Sequence, residues 1–254
     1  MLNDKEIAQY HDDGFIIPDF RLSEETLGEI RGHHDRLVTR HPEFADYCPN
    51  LLAFDLSFLN YARIPNIVDM VEQLIGPDFA LWNSSFFAKP ATNGRRTPWH
   101  QDGEYWPIRP VATCTVWMAI DPSTRENGCL QVIRGSHKDK ILHRHNTSTA
   151  TDVTLNQELA TDQIDDANVV DLELEAGQMS LHDVFLFHGS EANRSAQPRR
   201  GMTLRYMPTS SVFNRDLAKQ QAIDLGLPID HSDRTLFLLR GADQSGENDF
   251  RLRW

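Results

Sequence analysis

The chain has 254 residues, 40% of them hydrophobic, enough to bury the core of one large domain. Its 25 Lys+Arg against 37 Asp+Glu leave a formal charge of −12 with no basic run to offset it, which argues against a nucleic-acid partner. No apolar stretch approaches the roughly 20 residues of a spanning helix, and residues 1 to 6 lack the cationic and apolar regions of a signal peptide, so no membrane role is expected and the default location is the cytoplasm.

Residues 4 to 13 and 23 to 40 read as helices. In the second, Ser23 is the N-cap ahead of Glu24 and Glu25, and Leu27, Ile30 and Leu37 recur at helical spacing. Between them residues 14 to 18 form a short strand, and a third helix over 64 to 75 is closed by Gly76-Pro77. Short β-rich runs follow at 79 to 89, 113 to 120, 129 to 134, 169 to 174, 179 to 187 and 201 to 207, separated by Gly, Pro, Asn and Asp clusters. Many strands without long intervening helices predict an antiparallel sandwich or barrel. The mostly polar segment 139 to 168 is too long for an ordinary connection and is expected to be a lid or insertion. The tail from 232 onward carries Leu236, Phe237, Leu238 and Leu239 and is expected to dock onto the body. Cys48, Cys114 and Cys129 are an odd number with no close pair, so buried thiols are expected rather than a disulfide framework.

Two of the eleven histidines stand out. In Trp99-His100-Gln101-Asp102 an imidazole and a carboxylate lie two positions apart at a strand end, where period-2 geometry sends both to one face. Eighty-six residues after Asp102, His188 ends the apolar run 184 to 187 and is followed by Gly189-Ser190. Two neutral imidazoles and one carboxylate are the facial ligand set of a non-haem Fe(II) oxygenase. Three such residues also coincide by chance in unrelated chains, so the residue types alone leave both readings open.

Further segments carry a resemblance: Asp12-Asp13-Gly14-Phe15, Val116-Trp117-Met118-Ala119-Ile120-Asp121, the stretch from Glu126-Asn127-Gly128-Cys129-Leu130 to Gly135-Ser136-His137-Lys138, and His188-Gly189-Ser190. With the His-x-Asp motif they occur in one order over residues 12 to 206, and in this the chain resembles the phytanoyl-CoA dioxygenase-like family of Fe(II)/2-oxoglutarate-dependent oxygenases. The resemblance implies a mainly β fold: a double-stranded β-helix (a cupin-like jelly roll) with flanking N-terminal helices, in a single domain over 1–254. It implies that His100, Asp102 and His188 bind Fe(II), that 2-oxoglutarate chelates the metal, and that O2 is the oxidant. The cation for the distal carboxylate is then Arg199, eleven residues after His188 and joined by the Ser190 hydroxyl. Arg205 keeps the same strand parity and is the fallback, Arg200 is expected on the opposite face, and Trp117 and Asn83 match positions lining the cosubstrate pocket. His137 matches a structural turn, and His182, expected along its strand and well away from the metal end, stays a possible pocket residue.

Since Asp102 fills the position that a small residue takes in halogenating relatives, the resemblance implies hydroxylation of an aliphatic carbon with release of succinate and CO2. Tyr105, Trp106 and Arg109 after the first ligands, with His143, Arg144 and His145 in the lid, are the candidate substrate contacts. Aromatics beside cations suit a small polar metabolite such as an amino acid or aminoalkylphosphonate, although solvated loop charges account for them equally well. The alternatives are the same iron chemistry ending in desaturation, cyclisation or epimerisation, and a non-catalytic jelly-roll binding protein. The sequence leaves the oligomeric state open.

Overall fold

Two antiparallel sheets face one another in the computed structural model, which describes residues 1–164, 166–226 and 230–250. The larger sheet runs in the order Phe15–Ile16, Met179–Asp183, Cys114–Ala119, Arg199–Pro208, Phe79–Lys89 and Phe237–Arg240, with Tyr47–Cys48 also pairing Phe79–Lys89. The smaller runs Val169–Leu172, Leu130–Ile133, His188–Ser190 and Thr97–His100. This is the expected jelly roll, and three helices, Asp4–Asp13, Glu24–Arg40 and Pro65–Ile75, accompany it as the sequence predicts. The sequence missed the helix Arg215–Asp224 and the hairpin His145–Thr147 with Gln157–Leu159 inside the polar segment. Leu238 pairs with Ala80, so the tail does dock, as an edge strand. Among the described residues no helix is long and apolar enough to cross a membrane.

Alternation along the large sheet divides its residues by chemistry. Cys114, Val116 and Met118 on one strand and Met202, Leu204 and Tyr206 on the next face the helices, where they meet Leu27, Ile30, Ile67 and Val71. The residues of opposite parity, Thr115, Trp117, Thr203 and Arg205, line the interior between the sheets. A bulge between Arg205 and Tyr206 leaves Trp82 without a cross-strand partner, because Arg205 pairs with Asn83 and Tyr206 with Leu81. All three cysteines are buried and free.

The N-terminal helix is closed by Gly14 at φ 87°, a conformation glycine adopts without strain. A Cβ there would meet the His137 ring at 2.6 Å, and His137 Nε2 lies 3.0 Å from the carbonyl of His11. His137 therefore ties the turn beyond Leu130–Ile133 to the end of the first helix, the structural part the sequence assigned to it.

His34, on the inward face of Glu24–Arg40, packs against Phe86 with ring centroids 4.3 Å apart. Burial first, and the Arg200 guanidinium second, pull its pKa down to about 4. The unfolded chain takes up this proton near pH 6.5 while the folded one resists until about pH 4, so the stabilisation is complete above that window and is lost as pH falls through it. His145, also pulled down to about 4, adds to the same limb. Melting temperature should therefore fall between pH 6.5 and pH 4, and His34→Leu should flatten that slope. Parallel melting curves for the two proteins across that window would show His34 to be uninvolved.

Candidate active site

The pairing of His188–Ser190 with Thr97–His100 sets His188 directly opposite His100, with ring centroids 4.1 Å apart. Asp102 opens the one-turn helix Asp102–Glu104 just beyond. Its Oδ1 is 3.8 Å from His100 Nε2 and 3.8 Å from His188 Nε2. Each imidazole uses its other nitrogen on a carbonyl two residues back, His100 Nδ1 at 2.8 Å from Pro98 and His188 Nδ1 at 2.9 Å from Leu186. Donation from Nδ1 fixes the tautomer that leaves the Nε2 lone pair free, the arrangement a metal requires. One ligand atom from each of the three buried residues lies within 4.8 Å of the others. Burial resists ionisation of Asp102, but His188, His100, His182 and Arg205 hold its carboxyl well below the usual range. Burial and then His100 keep His188 well below an ordinary histidine. Carboxylate and neutral imidazole are the forms that bind a divalent cation, so the residues fit the Fe(II) that the fold implies.

Asp102 Oδ2 is turned the other way. Thr115 Oγ1 donates to it at 3.2 Å, and His182 Nε2 is 3.7 Å away, with neither His182 nitrogen hydrogen-bonded. The sequence expected His182 far from the metal end because residues 179 to 187 read as one strand. That strand ends at Asp183, whose side chain and carbonyl receive the N–H groups of Phe185 and Leu186. The chain folds back there, and His182 enters the cavity. Gln101 is wholly buried and braces the ligand loop, donating to Ile141 and Phe185 carbonyls and accepting from the His143 N–H.

Two cavities meet at His100 and Asp102. The first extends past Ser190 and Trp117 to Arg199, which is 2% exposed and whose guanidinium lies 5.2 Å from the Trp117 ring. Nη1 of Arg199 is 3.5 Å from the Phe87 carbonyl, Nε has no partner, and no carboxylate pairs with it among the described residues. Burial lowers its pKa to about 10, which leaves it cationic. Gly201 makes room for the stack, since a Cβ there would come within 2.2 Å of the Trp117 ring. Neighbouring Lys89 is spent on the carbonyls of Arg95 and Glu191, both at 2.6 Å, and burial followed by Arg199 pulls its pKa down to about 6. The second cavity is bounded by Tyr47, Asn83, Tyr105, Trp106, Asn156 and His231.

The structure thus brings His100, Asp102, His188, Ser190, Trp117 and Arg199 together on the first cavity and Tyr105 and Trp106 on the second; Asn83, expected beside the cosubstrate with Trp117, instead lies on the second cavity, where its side-chain oxygen accepts from Arg234 at 2.6 Å. Arg200 points to the opposite face, where it meets both oxygens of Asp121 at 2.8 and 3.0 Å. Four expected substrate contacts line neither cavity. Arg109 is exposed and folds its guanidinium onto the carbonyls of Trp106 and Ile108. His143 is 2.7 Å from Asp139 and packs on Phe187, while Arg144 is exposed. His145 accepts the Gln101 N–H at 3.0 Å and lies beside Tyr105, so it supports the ligand loop from behind. For Arg109, His143 and His145 a local partner satisfies the polar group before it reaches the interior. The second cavity instead receives Asn156 from segment 139 to 168 and His231 from a coil beyond the last helix, neither of which the sequence marked.

The phytanoyl-CoA dioxygenase (PhyH) family profile matches residues 10–201. A probable phytanoyl-CoA dioxygenase of Caenorhabditis elegans is 30% identical over 179 residues, covering 68% of this chain and 55% of that protein. The L-proline trans-4-hydroxylase of Streptomyces griseoviridis is 27% identical over 170 residues, covering 60% of this chain and 63% of that one. The chain spans about half the length of the phytanoyl-CoA dioxygenases it matches. Among solved structures, the non-heme monooxygenase ThoJ in its apo form superposes with a TM-score of 0.72 at 24% identity, over 95% of this chain and 85% of that one, a likeness of fold. With the profile match over most of its length, and with a His-Asp-His cluster that fits Fe(II), the chain belongs to the phytanoyl-CoA dioxygenase family of Fe(II)/2-oxoglutarate oxygenases.

Proposed function

We propose that the protein is an Fe(II)- and 2-oxoglutarate-dependent dioxygenase, a single catalytic domain that hydroxylates an aliphatic carbon of a small polar metabolite in the size range of an amino acid or aminoalkylphosphonate. The observation that carries this reading is the convergence of two Nδ1-anchored imidazoles on one oxygen of a buried carboxylate, 3.8 Å from each. His100, Asp102 and His188 would hold the metal on one face. Arg199 and the Ser190 hydroxyl would take the distal carboxylate of 2-oxoglutarate, with Trp117 stacked on the guanidinium. Bound there, Fe(II) and 2-oxoglutarate supply the O2 activation and two-electron oxidation that convert a C–H bond to C–OH, with succinate and CO2 as coproducts. Tyr105 and Trp106 would bound the substrate and exclude water. Segment 139 to 168, tied to Arg96 through a bidentate pair with Glu158 at 2.7 and 3.2 Å, would close over it as a lid.

His100→Ala, Asp102→Ala and His188→Ala should each abolish Fe(II)-dependent succinate formation while circular dichroism remains that of the parent. Anaerobic Fe(II) with 2-oxoglutarate should give a weak visible charge-transfer band in the parent alone. Full activity in any variant removes that residue from the ligand set.

Arg199→Ala should raise the 2-oxoglutarate KM strongly, since a buried carboxylate loses a two-pronged cationic partner, a loss on the order of 2–5 kcal/mol or roughly 30- to 4,000-fold. Arg199→Lys should recover part of it, and Arg200→Ala should change little because its guanidinium is committed to Asp121. A large KM effect from Arg200 with none from Arg199 would reverse the assignment. For the lid, proteolysis between residues 139 and 168 should slow when metal, 2-oxoglutarate and substrate are bound together, and equal rates with and without them would exclude closure.

A further inference from the structure

Three arginines are buried around the two cavities with no carboxylate paired to them among the described residues: Arg199, Arg205 and Arg234. Arg199 has its part in the function proposed above. Arg234 has each of its nitrogens engaged, Nε on His231 Nδ1 at 2.6 Å, Nη1 on Asn83 at 2.6 Å and Nη2 on the Pro49 carbonyl at 3.0 Å, so it is a strut behind the second cavity. Arg205 is different. Only Nη1 is engaged, by the hydroxyls of Ser85 at 2.8 Å and Thr203 at 2.9 Å, while Nε is buried without a partner. The guanidinium lies 5.7 Å from the Phe87 ring and 5.2 Å from the Trp106 ring, and the residue borders both cavities beside His100 and Asp102.

Charge counting isolates Arg205 further. In the loaded site the divalent metal and Arg199 contribute three positive charges, and Asp102 with the two carboxylates of 2-oxoglutarate contributes three negative ones. That centre is neutral. Arg205 then has no anion of its own, with the Arg234 cation behind it. A buried cation without a counter-charge is strongly disfavoured unless a ligand supplies one. A half-used guanidinium between two aromatic rings is a ready receptor for a planar or tetrahedral oxyanion.

We propose that Arg205 anchors an oxyanion of the substrate, a carboxylate or phosphonate, and so selects small anionic metabolites over their neutral analogues. This rests on the dioxygenase reading and names the substrate class for that same site. An oxyanion held by Arg205 leaves the rest of a small molecule within the second cavity, between Tyr105 and Asn156 and beside the metal ligands.

The test uses acetate and methylphosphonate as oxyanion probes, with acetamide as the neutral isostere of acetate. Each is titrated into Zn(II)- and 2-oxoglutarate-loaded protein while the Trp106 indole N–H resonance is followed. The expected result is a saturable millimolar shift with acetate and with methylphosphonate, and none with acetamide. Arg205→Gln should weaken acetate by about tenfold or more, Arg205→Lys should restore part of the affinity, and the 2-oxoglutarate Kd of both variants should stay within about threefold of the parent, a change of well under 1 kcal/mol. Acetate binding no better than acetamide in the parent overturns the proposal whether or not the variants fold. Undiminished acetate binding in a folded Arg205→Gln protein does the same. Collapse of 2-oxoglutarate affinity in that variant overturns it by assigning Arg205 to the cosubstrate. Failure of the dioxygenase reading has a separate signature, the absence of the anaerobic charge-transfer band with Fe(II) and 2-oxoglutarate, and it takes the proposal with it.

Discussion

The antiparallel register that pairs His188 with His100 is the constraint on which the rest of the site depends. Side chains alternate across a strand, so a slip by one residue would send one imidazole to the other face and separate it from Asp102. Two contacts outside the small sheet hold this register. Gln101 bridges the ligand loop to the turn before His188 through the Phe185 carbonyl, and Lys89 reaches the Glu191 carbonyl just after it. Both braces are hydrogen bonds to backbone, so they fix the path of the chain as well as the positions of side chains.

Alternation does equal work on the large sheet. The strand Arg199–Pro208 gives Met202, Leu204 and Tyr206 to the helices and Arg199, Thr203 and Arg205 to the interior. Apolar burial on one face supports a row of polar groups on the other that are poorly solvated and only partly hydrogen-bonded. Such groups weaken a fold taken alone, and here they are concentrated on two connected cavities. Arg200, at the intermediate position, has acidic partners in both Asp121 and Asp35, unlike Arg199 and Arg205 on the interior face, which have none among the described residues.

The fold class, the three N-terminal helices and the tail's docking were legible because periodicity and caps are local signals. The clustering of His100, Asp102 and His188, and the place of Arg199 on the same cavity, were legible through a fixed motif order and strand parity. The place of His182 on the pocket was legible but its nearness to Asp102 was not: its strand reads as running on to His188, whereas Asp183 stops it with side-chain and backbone acceptors that look like any loop aspartate in the sequence. Arg109, His143 and Arg144 were chosen for their chemistry next to the motif, but whether a cation faces a cavity or folds onto nearby carbonyls depends on backbone direction, which composition does not report. His231 and Arg234 lie on coil after the helix Arg215–Asp224, where no period constrains a side chain. Arg234, bonded to His231, meets Asn83 because the tail returns to pair with Phe79–Lys89.

The burial of Arg205 behind aromatic rings sets it against the chain as a whole, whose 37 acidic and 25 basic residues give a formal charge of −12. An incoming anion is repelled at long range and attracted only once inside. Salt damps the first interaction over a Debye length of about 8 Å at physiological ionic strength and hardly reaches the second. Added salt should therefore quicken the entry of an anion while leaving its hold largely intact, the reverse of an enzyme that gathers its substrate with an exposed field of opposite sign.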